Sequence, residues 1–257
     1  MLSKRSFDAI SNLFHEVSGI RLTEAKRALV TGRLSKLANA AGATNLDTYV
    51  ADLLAGRDPD DMGKVIDRLT TNETYFFREP KHFEFVASYL ARRSRSAGEL
   101  RVWSAASSSG EEAYSLAMLL ADKMGPQGWQ IIGTDLSTEM VATARRGLYT
   151  MERARNVSKD YLRRFCLKGH GEHEGHLLVS RDLRQRVHFE CANLTQTLPE
   201  IGEFELVFLR NVLIYFDTPG KADIVRRVMG RLRRDGFLFT GHAESIGNLG
   251  LSLKSIA

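Results

Sequence analysis

Carboxylates at the ends of apolar runs are the first sign of chemistry in this sequence. The stretch Val102-Trp103-Ser104-Ala105-Ala106-Ser107-Ser108-Ser109-Gly110-Glu111-Glu112 passes from apolar to small residues and ends in two adjacent acids. A turn of small residues lets a ligand approach the backbone closely. Gly110 stands alone, however, so the G-x-G-x-x-G spacing that cradles a pyrophosphate is missing. Glu111 and Glu112 suit the positive end of a following helix, and they would repel a phosphate placed there. A cofactor with positive charge and no phosphate fits better; S-adenosylmethionine, with its sulfonium and ammonium groups, is one. A further acid, Asp135, closes Ile131-Ile132-Gly133-Thr134-Asp135. It either accepts hydrogen bonds from both ribose hydroxyls of an adenosine cofactor or caps the next helix, a place that Ser137 can also fill.

Two further segments put polar residues where they need a reason. Asn193-Leu194 follows the run Val187-His188-Phe189-Glu190. That asparagine is either a partner for an adenine edge or a turn residue. Arg210 and Asn211 interrupt Leu209-Arg210-Asn211-Val212-Leu213-Ile214-Tyr215-Phe216. Burying them unpaired is costly, so they either end a strand at the surface or face a ligand. The segment Leu69-Thr70-Thr71-Asn72-Glu73-Thr74-Tyr75-Phe76-Phe77-Arg78-Glu79-Pro80 holds three aromatics among polar residues. Linkers are usually plain and polar. One this aromatic is packed, and residues 71–90 are expected to line a cleft between two domains.

The elements that position these residues change character along the chain. Residues 1–70 read as helical. Phe7, Ile10, Leu13, Phe14 and Val17 recur at helical spacing until Gly19. Thr23 then caps a helix to about Ala41, with Lys26 where a capping box carries Glu. Leu46 to Leu54 and Asp61 to Leu69 are further helices, separated by the turn Gly56-Arg57-Asp58-Pro59. From residue 91 strands and helices alternate: strands at 100–105, 129–134, 187–190, 204–209 and 236–240, helices at 111–124, 139–147 and 221–232. That alternation predicts an α/β fold with a doubly wound, mainly parallel sheet over residues 91–257. Residues 152–186 break the alternation. Short apolar runs punctuated by Gly169, Gly171 and Gly175 predict a small antiparallel β insert.

Composition narrows the class. The 257 residues are 43% hydrophobic and 26% charged, which excludes a disordered chain, a collagen and a coiled-coil rod. Two cysteines, Cys166 and Cys191, make no disulfide framework. No apolar core of a signal peptide and no membrane-length apolar run is present, so a cytoplasmic protein is expected. A net charge of +5 over this length does not by itself argue for nucleic acid. The excess is local: Arg21 to Lys36 holds five basic residues and one acid, whereas Asp52 to Asp67 is net acidic.

Together the segments Thr71–Glu79, Val102–Glu112, Thr134-Asp135 and Arg210–Phe216 resemble the chemotaxis receptor methyltransferase (CheR) family, and Gly241-His242-Ala243-Glu244-Ser245 resembles a further element of it. The resemblance covers almost the whole chain. It implies an all-α N-terminal domain joined to a class I methyltransferase-like domain that carries the β insert. It implies S-adenosylmethionine as cofactor, S-adenosylhomocysteine as product, and transfer of the methyl to glutamate side chains on cytoplasmic chemoreceptor helices. Cofactor contacts carry over to Asn72, Thr74, Arg78, Glu112, Asp135, Asn193, Leu194, Leu209 and Arg210, with Asn211 in the same motif. Arg78 and Tyr215 fall nearest the reacting methyl, as positioning groups. In the family a basic helix faces the acidic methylation region of the receptor. Lys26 and Arg33 match its basic positions, with Lys36 beside them, while Asn39 stands where some relatives carry another basic residue.

Cys166, His170, His173 and His176 invite a zinc reading, but no C-x-x-C pair accompanies them and no metal is expected. The resemblance offers instead a loop, Gly169-His170-Gly171-Glu172-His173-Glu174-Gly175, like that of relatives that take a receptor's C-terminal tethering peptide by strand addition. The segment Leu251–Ala257 resembles the penultimate strand of the family's sheet. A monomer is expected, with no nucleic acid and no membrane insertion. The competing reading is a catalytically silent receptor- or regulator-binding module. A small-molecule methyltransferase would need neither the basic helix nor the insert, and a dehydrogenase would need the missing glycines.

Overall fold

Four helices build the N-terminal part: α1 (Lys4–Ser18), α2 (Arg27–Ala40), α3 (Leu46–Leu54) and α4 (Asp61–Leu69). The computed structural model describes residues 2–57, 60–94, 98–251 and 253–256. Asp58 and Pro59 of the expected turn therefore lie outside the described residues. Ser3 caps α1 by accepting from the Ser6 amide, and Gly19 ends it in the left-handed region at φ 72°. Phe7, Ile10 and Phe14 of α1 pack on Val30, Leu34 and Ala38 of α2 and on the apolar faces of α3 and α4.

The start of the second helix differs from expectation. Thr23 makes no side-chain cap; residues Glu24–Lys26 form a 3-10 turn and α2 begins at Arg27. Glu24 is instead paired with Arg27 Nη1 at 2.9 Å, and Arg27 Nη2 holds the Leu2 carbonyl at 2.8 Å. The inward stripe of α2 is Val30, Leu34 and Ala38, while Ala41 lies beyond the helix and is exposed.

Residues 80–92, expected to be linker, form a helix, α5 (Pro80–Arg92), with Phe83, Val86 and Leu90 buried. The sheet follows. Its strands are β1 (Leu100–Ala105), β2 (Trp129–Asp135), β6 (Val187–Cys191), β7 (Phe204–Leu209) and β8 (Leu232–Thr240), all paired in parallel in the order β6-β2-β1-β7-β8. Helices α6 (Glu111–Met124), α7 (Thr138–Arg146) and α10 (Thr218–Met229) cross between them. Strand order reverses between β1 and β7. Ligands of such sheets bind outside the carboxyl ends of the strands at that switch point.

Two boundaries moved for local reasons. Asp217 caps α10 by accepting from the Gly220 amide, so the helix starts three residues before the expected Lys221 and ends at Met229. β8 then starts at Leu232, opposite Phe204, and bulges before Leu206 meets Phe237.

The insert is a three-stranded antiparallel sheet, β3 (Leu148–Thr150), β5 (His176–Val179) and β4 (Cys166–Lys168), in the order β3-β5-β4, with α8 (Lys159–Phe165) before β4 and the short α9 (Arg181–Arg184) after β5. It begins before residue 152, because Gly147 ends α7 at φ 64° and turns the chain straight into β3. The expected strand over 251–257 is not seen at Leu251 or at residues 253–256; Ser252 and Ala257 lie outside the described residues. Leu251 and Leu253 pack on the apolar layer of Phe204, Ile224 and Val225 rather than pairing with β8. Among the described residues no helix is long and apolar enough to cross a membrane.

Candidate active site

The carboxyl ends of β1, β2 and β7 open into a cleft whose other wall is the N-terminal part. Its lining includes Ser18, Ile20, Leu22, Lys26 and Leu29 from the helical part. It also includes Asn72, Thr74, Arg78, Glu112, Asp135, Asn193, Leu194, Arg210, Asn211 and Tyr215. The structure thus gathers residues that lie far apart in the chain.

The backbone around the cleft is held in uncommon conformations. Phe77, Glu79, Ala106, Ser108 and Asn211 all have positive φ without being glycine, and each lines the cleft or flanks Arg78. Such residues persist where surrounding contacts over-determine them, and they cluster at ligand sites. Gly110 closes the loop after β1 at φ +95°, where a Cβ would stand 2.8 Å from that of Ala144. The small residues of the turn are therefore needed for packing as well as for ligand access.

Asp135 ends β2 and is buried. Its Oδ2 accepts from the Ser108 amide at 2.7 Å and its Oδ1 from the Ser137 amide at 2.9 Å. Ser137, not Asp135, caps α7 by accepting from the Met140 amide. Burial raises the Asp135 carboxyl above its ordinary value despite those two bonds. The paired acids after Gly110 part company. Glu112 faces the cleft, accepting from Ser104 Oγ and Arg210 Nη1 at 2.7 Å each. Glu111 turns inward to Ser109 Oγ and Arg153, and its burial raises its carboxyl.

Arg210 ties the end of β7 to the start of α6 and to the segment before α5. Besides Glu112 it donates to the Arg78 carbonyl at 2.5 Å and pairs with Glu79 Oε2 at 3.1 Å. Asn211 donates through its side chain to Glu79 Oε1, and its amide to Glu244 Oε2. Asn193 Nδ2 holds the Val17 carbonyl at 2.7 Å, while its Oδ1 accepts from the Thr195 amide. It thus makes a turn and also ties α1 to the cleft. Leu209 is fully buried in the apolar layer and, unlike the other expected cofactor contacts, is not part of the cleft lining.

Arg78, Lys26 and Tyr215 ring the mouth. Arg78 Nη1 donates to the Glu73 carbonyl at 2.9 Å, and Lys26 Nζ stands 5.6 Å from the Tyr215 ring centroid. Burial raises the Tyr215 phenol above 10.0, more than Arg78 and a hydrogen bond from Thr71 lower it. The other two expected receptor contacts, Arg33 and Lys36 on α2, are placed differently. Arg33 Nη1 donates to the carbonyls of Leu69 and Thr70 at 3.0 Å, closing the end of α4, and Lys36 is exposed away from the cleft lining.

Residues 72–256 match the family described as "CheR methyltransferase, SAM binding domain", and residues 5–70 match "CheR methyltransferase, all-alpha domain". The chain belongs to the CheR methyltransferase family. It is an S-adenosylmethionine-dependent methyltransferase of the chemotaxis type. The chemotaxis protein methyltransferase of Escherichia coli is 40% identical to it over 253 residues, 96% of this chain and 87% of that one. That of Salmonella typhimurium is 39% identical over 251 residues, 96% and 86% of the two chains. Chemotaxis protein methyltransferase 2 of Pseudomonas aeruginosa is 34% identical over 257 residues, 99% and 91%.

The residues present fit the cofactor of a CheR-family chain. Ser107 Oγ is buried on the cleft wall with no hydrogen-bond partner. Asp135 and Glu112 add carboxylates that suit hydroxyl and ammonium donors. Reasoning from sequence assigned no role to Glu79 and Glu244, whose carboxylates hold Arg210, Asn211 and Gly241 in place. Their signal was membership of the matched segments. Cys166 and His176 sit on β4 and β5 and His170 and His173 in the turn between them, and among the described residues no three of these donors lie within 4.8 Å of one another.

Proposed function

We propose that this chain methylates glutamate side chains on the cytoplasmic helices of chemoreceptors, giving glutamate methyl esters and S-adenosylhomocysteine. When bound, S-adenosylmethionine supplies an electrophilic methyl group on a sulfonium centre. A carboxylate oxygen held by the protein would take that methyl, and the electron pair of the S–C bond would remain on sulfur. The acceptor is already ionised at neutral pH, since a glutamate titrates near about 4.3. No general base is needed, and the protein's task is alignment.

In this reading Asp135 accepts from the ribose hydroxyls, and Glu112 faces the cationic end of the cofactor. Asn72, Thr74, Asn193, Leu194, Arg210 and Asn211 complete its cradle. Arg78 orients the acceptor carboxylate by charge-assisted bonds that must stay loose, because that charge is lost in the transition state. Tyr215 positions the reacting groups. Its raised phenol stays protonated at neutral pH, which supports a donor and not a base.

The observation that carries the proposal is that the half-buried Lys26, Arg78 and Tyr215 line one cleft with Glu112 and the buried Asp135, Lys26 Nζ standing 5.6 Å from the Tyr215 ring centroid. The cations suit an entering carboxylate, and the acids suit a cationic cofactor. Lys36 and Arg33 extend the basic surface toward an acidic receptor helix. The outer edge of β4, with Leu167 exposed and no further strand among the described residues, suits a receptor tethering peptide by strand addition. The protein acts as a monomer in the cytoplasm. Incubation with S-adenosylmethionine and a receptor cytoplasmic fragment tests the reading through base-labile methyl esters. Cofactor binding with no ester formed would favour the silent binding module instead.

A further inference from the structure

A second cluster of chemistry-bearing side chains adjoins the cleft without lining it. Glu79 stands just before α5, His82 lies in its first turn, and His242 follows β8. His82 Nδ1 is 3.6 Å from Glu79 Oε2, and His242 Nε2 is 3.9 Å from the same oxygen. The two imidazoles meet edge to face with centroids 5.6 Å apart. All three potential donor atoms lie within 4.8 Å of one another. His82 Nδ1 is buried with no hydrogen-bond partner, and Glu79 Oε2 beside it is held by the Arg210 guanidinium at 3.1 Å. Buried polar atoms are rarely left without a partner, which makes His82 Nδ1 an atom in need of one.

We propose that Glu79, His82 and His242 form a site for a divalent first-row transition ion, with zinc the best fit. Two imidazoles and one carboxylate are a donor set this ion uses, and bonds of about 2.0–2.1 Å put tetrahedral donors roughly 3.4 Å apart. The observed separations need only a small closure, and His242 is exposed and able to turn.

Arg210 makes the site a regulator of the cleft. Its guanidinium pairs with Glu79 Oε2, the oxygen an ion would take. Ion binding would release that pair and leave Arg210 with Glu112 and the Arg78 carbonyl. The ion and the cofactor are then coupled through one side chain, and the coupling is reciprocal.

Titration of untagged full-length protein with Co2+ alone, followed by visible absorption and then displacement by Zn2+, tests this. One saturating equivalent is expected. His242→Ala, at an exposed position, should weaken binding at least about tenfold, and His82→Gln should do the same. Saturating Zn2+ should raise the Kd of S-adenosylhomocysteine by about fivefold or more in the wild type, and not in His242→Ala. Without metal, both variants should bind S-adenosylhomocysteine as the wild type does, which shows that they are folded. Absence of saturable binding, or binding indifferent to His242→Ala, would overturn the site. An unchanged Kd under saturating Zn2+ would overturn the coupling.

Discussion

Arg210 donates to Glu112 at 2.7 Å and pairs with Glu79 at 3.1 Å, so one buried guanidinium joins the end of β7 to the starts of α6 and α5. Removing it strands two largely buried carboxylates. Arg210→Ala should lower unfolding free energy by about 3–5 kcal/mol in urea titration, besides weakening cofactor binding. The pH dependence has a definite sign. Burial alone would raise the Glu79 carboxyl, but Asn211 and Arg210 together hold it below 4.5. Such a group contributes stability above 4.5 that is lost as pH falls through its lower folded value. Acidification should therefore narrow the gap between variant and wild type.

Asp135 gives a second pH signature. Its carboxyl is raised above 3.8 by burial, and the carboxylate form is the one that accepts ribose hydroxyls. Affinity for S-adenosylhomocysteine should fall as pH drops through that raised value, earlier than an ordinary aspartate would allow. Asp135→Asn should bind weakly at every pH and should lose that acid-side decline in calorimetric titration.

Tyr215 is expected to position and not to transfer a proton. Tyr215→Phe should reduce kcat by up to about a hundredfold, the scale of a small misplacement of reacting atoms. The shape of the rate-against-pH profile should stay the same. Disappearance of a catalytic ionisation in the variant would show a proton-transfer role.

The basic helix separates into distinct tests. Lys36 is exposed and outside the cleft, so Lys36→Glu should raise the KM for receptor while leaving cofactor affinity intact. Lys26→Glu should do likewise with a larger effect, since Lys26 stands at the mouth beside Tyr215. Arg33→Glu should also lower stability by about 1 kcal/mol or more, because Arg33 closes the end of α4.

How much of this was legible follows from where the information lies. Strands 100–105 and 204–209 and helices 46–54, 61–69 and 111–124 coincide with expectation, because each carries clear periodicity between turn residues. Helix α5 was hidden by the aromatics that precede it, Tyr75, Phe76 and Phe77. Phe83, Val86 and Leu90 have helical spacing after Pro80, but they sit in a segment whose composition suggested a packed linker. Candidate cleft residues were legible as polar positions closing apolar strands. What they touch was not. The hydrogen bond from Asn193 to Val17, and the meeting of Glu79 with His242, bring together residues more than 150 positions apart. No local spacing encodes such contacts. Lys26 and Arg33 were expected on one basic helix; the 3-10 turn that holds Lys26 and the end of α4 that engages Arg33 separate them.

The most direct test of the central claim is methyl transfer to a receptor. Labelled S-adenosylmethionine, this protein and a chemoreceptor cytoplasmic fragment should yield label on glutamate side chains, released as methanol by mild base. Glutamine at the labelled positions should abolish it. A protein that binds S-adenosylhomocysteine but leaves the fragment unlabelled, or labels it in a base-stable form, would contradict the account.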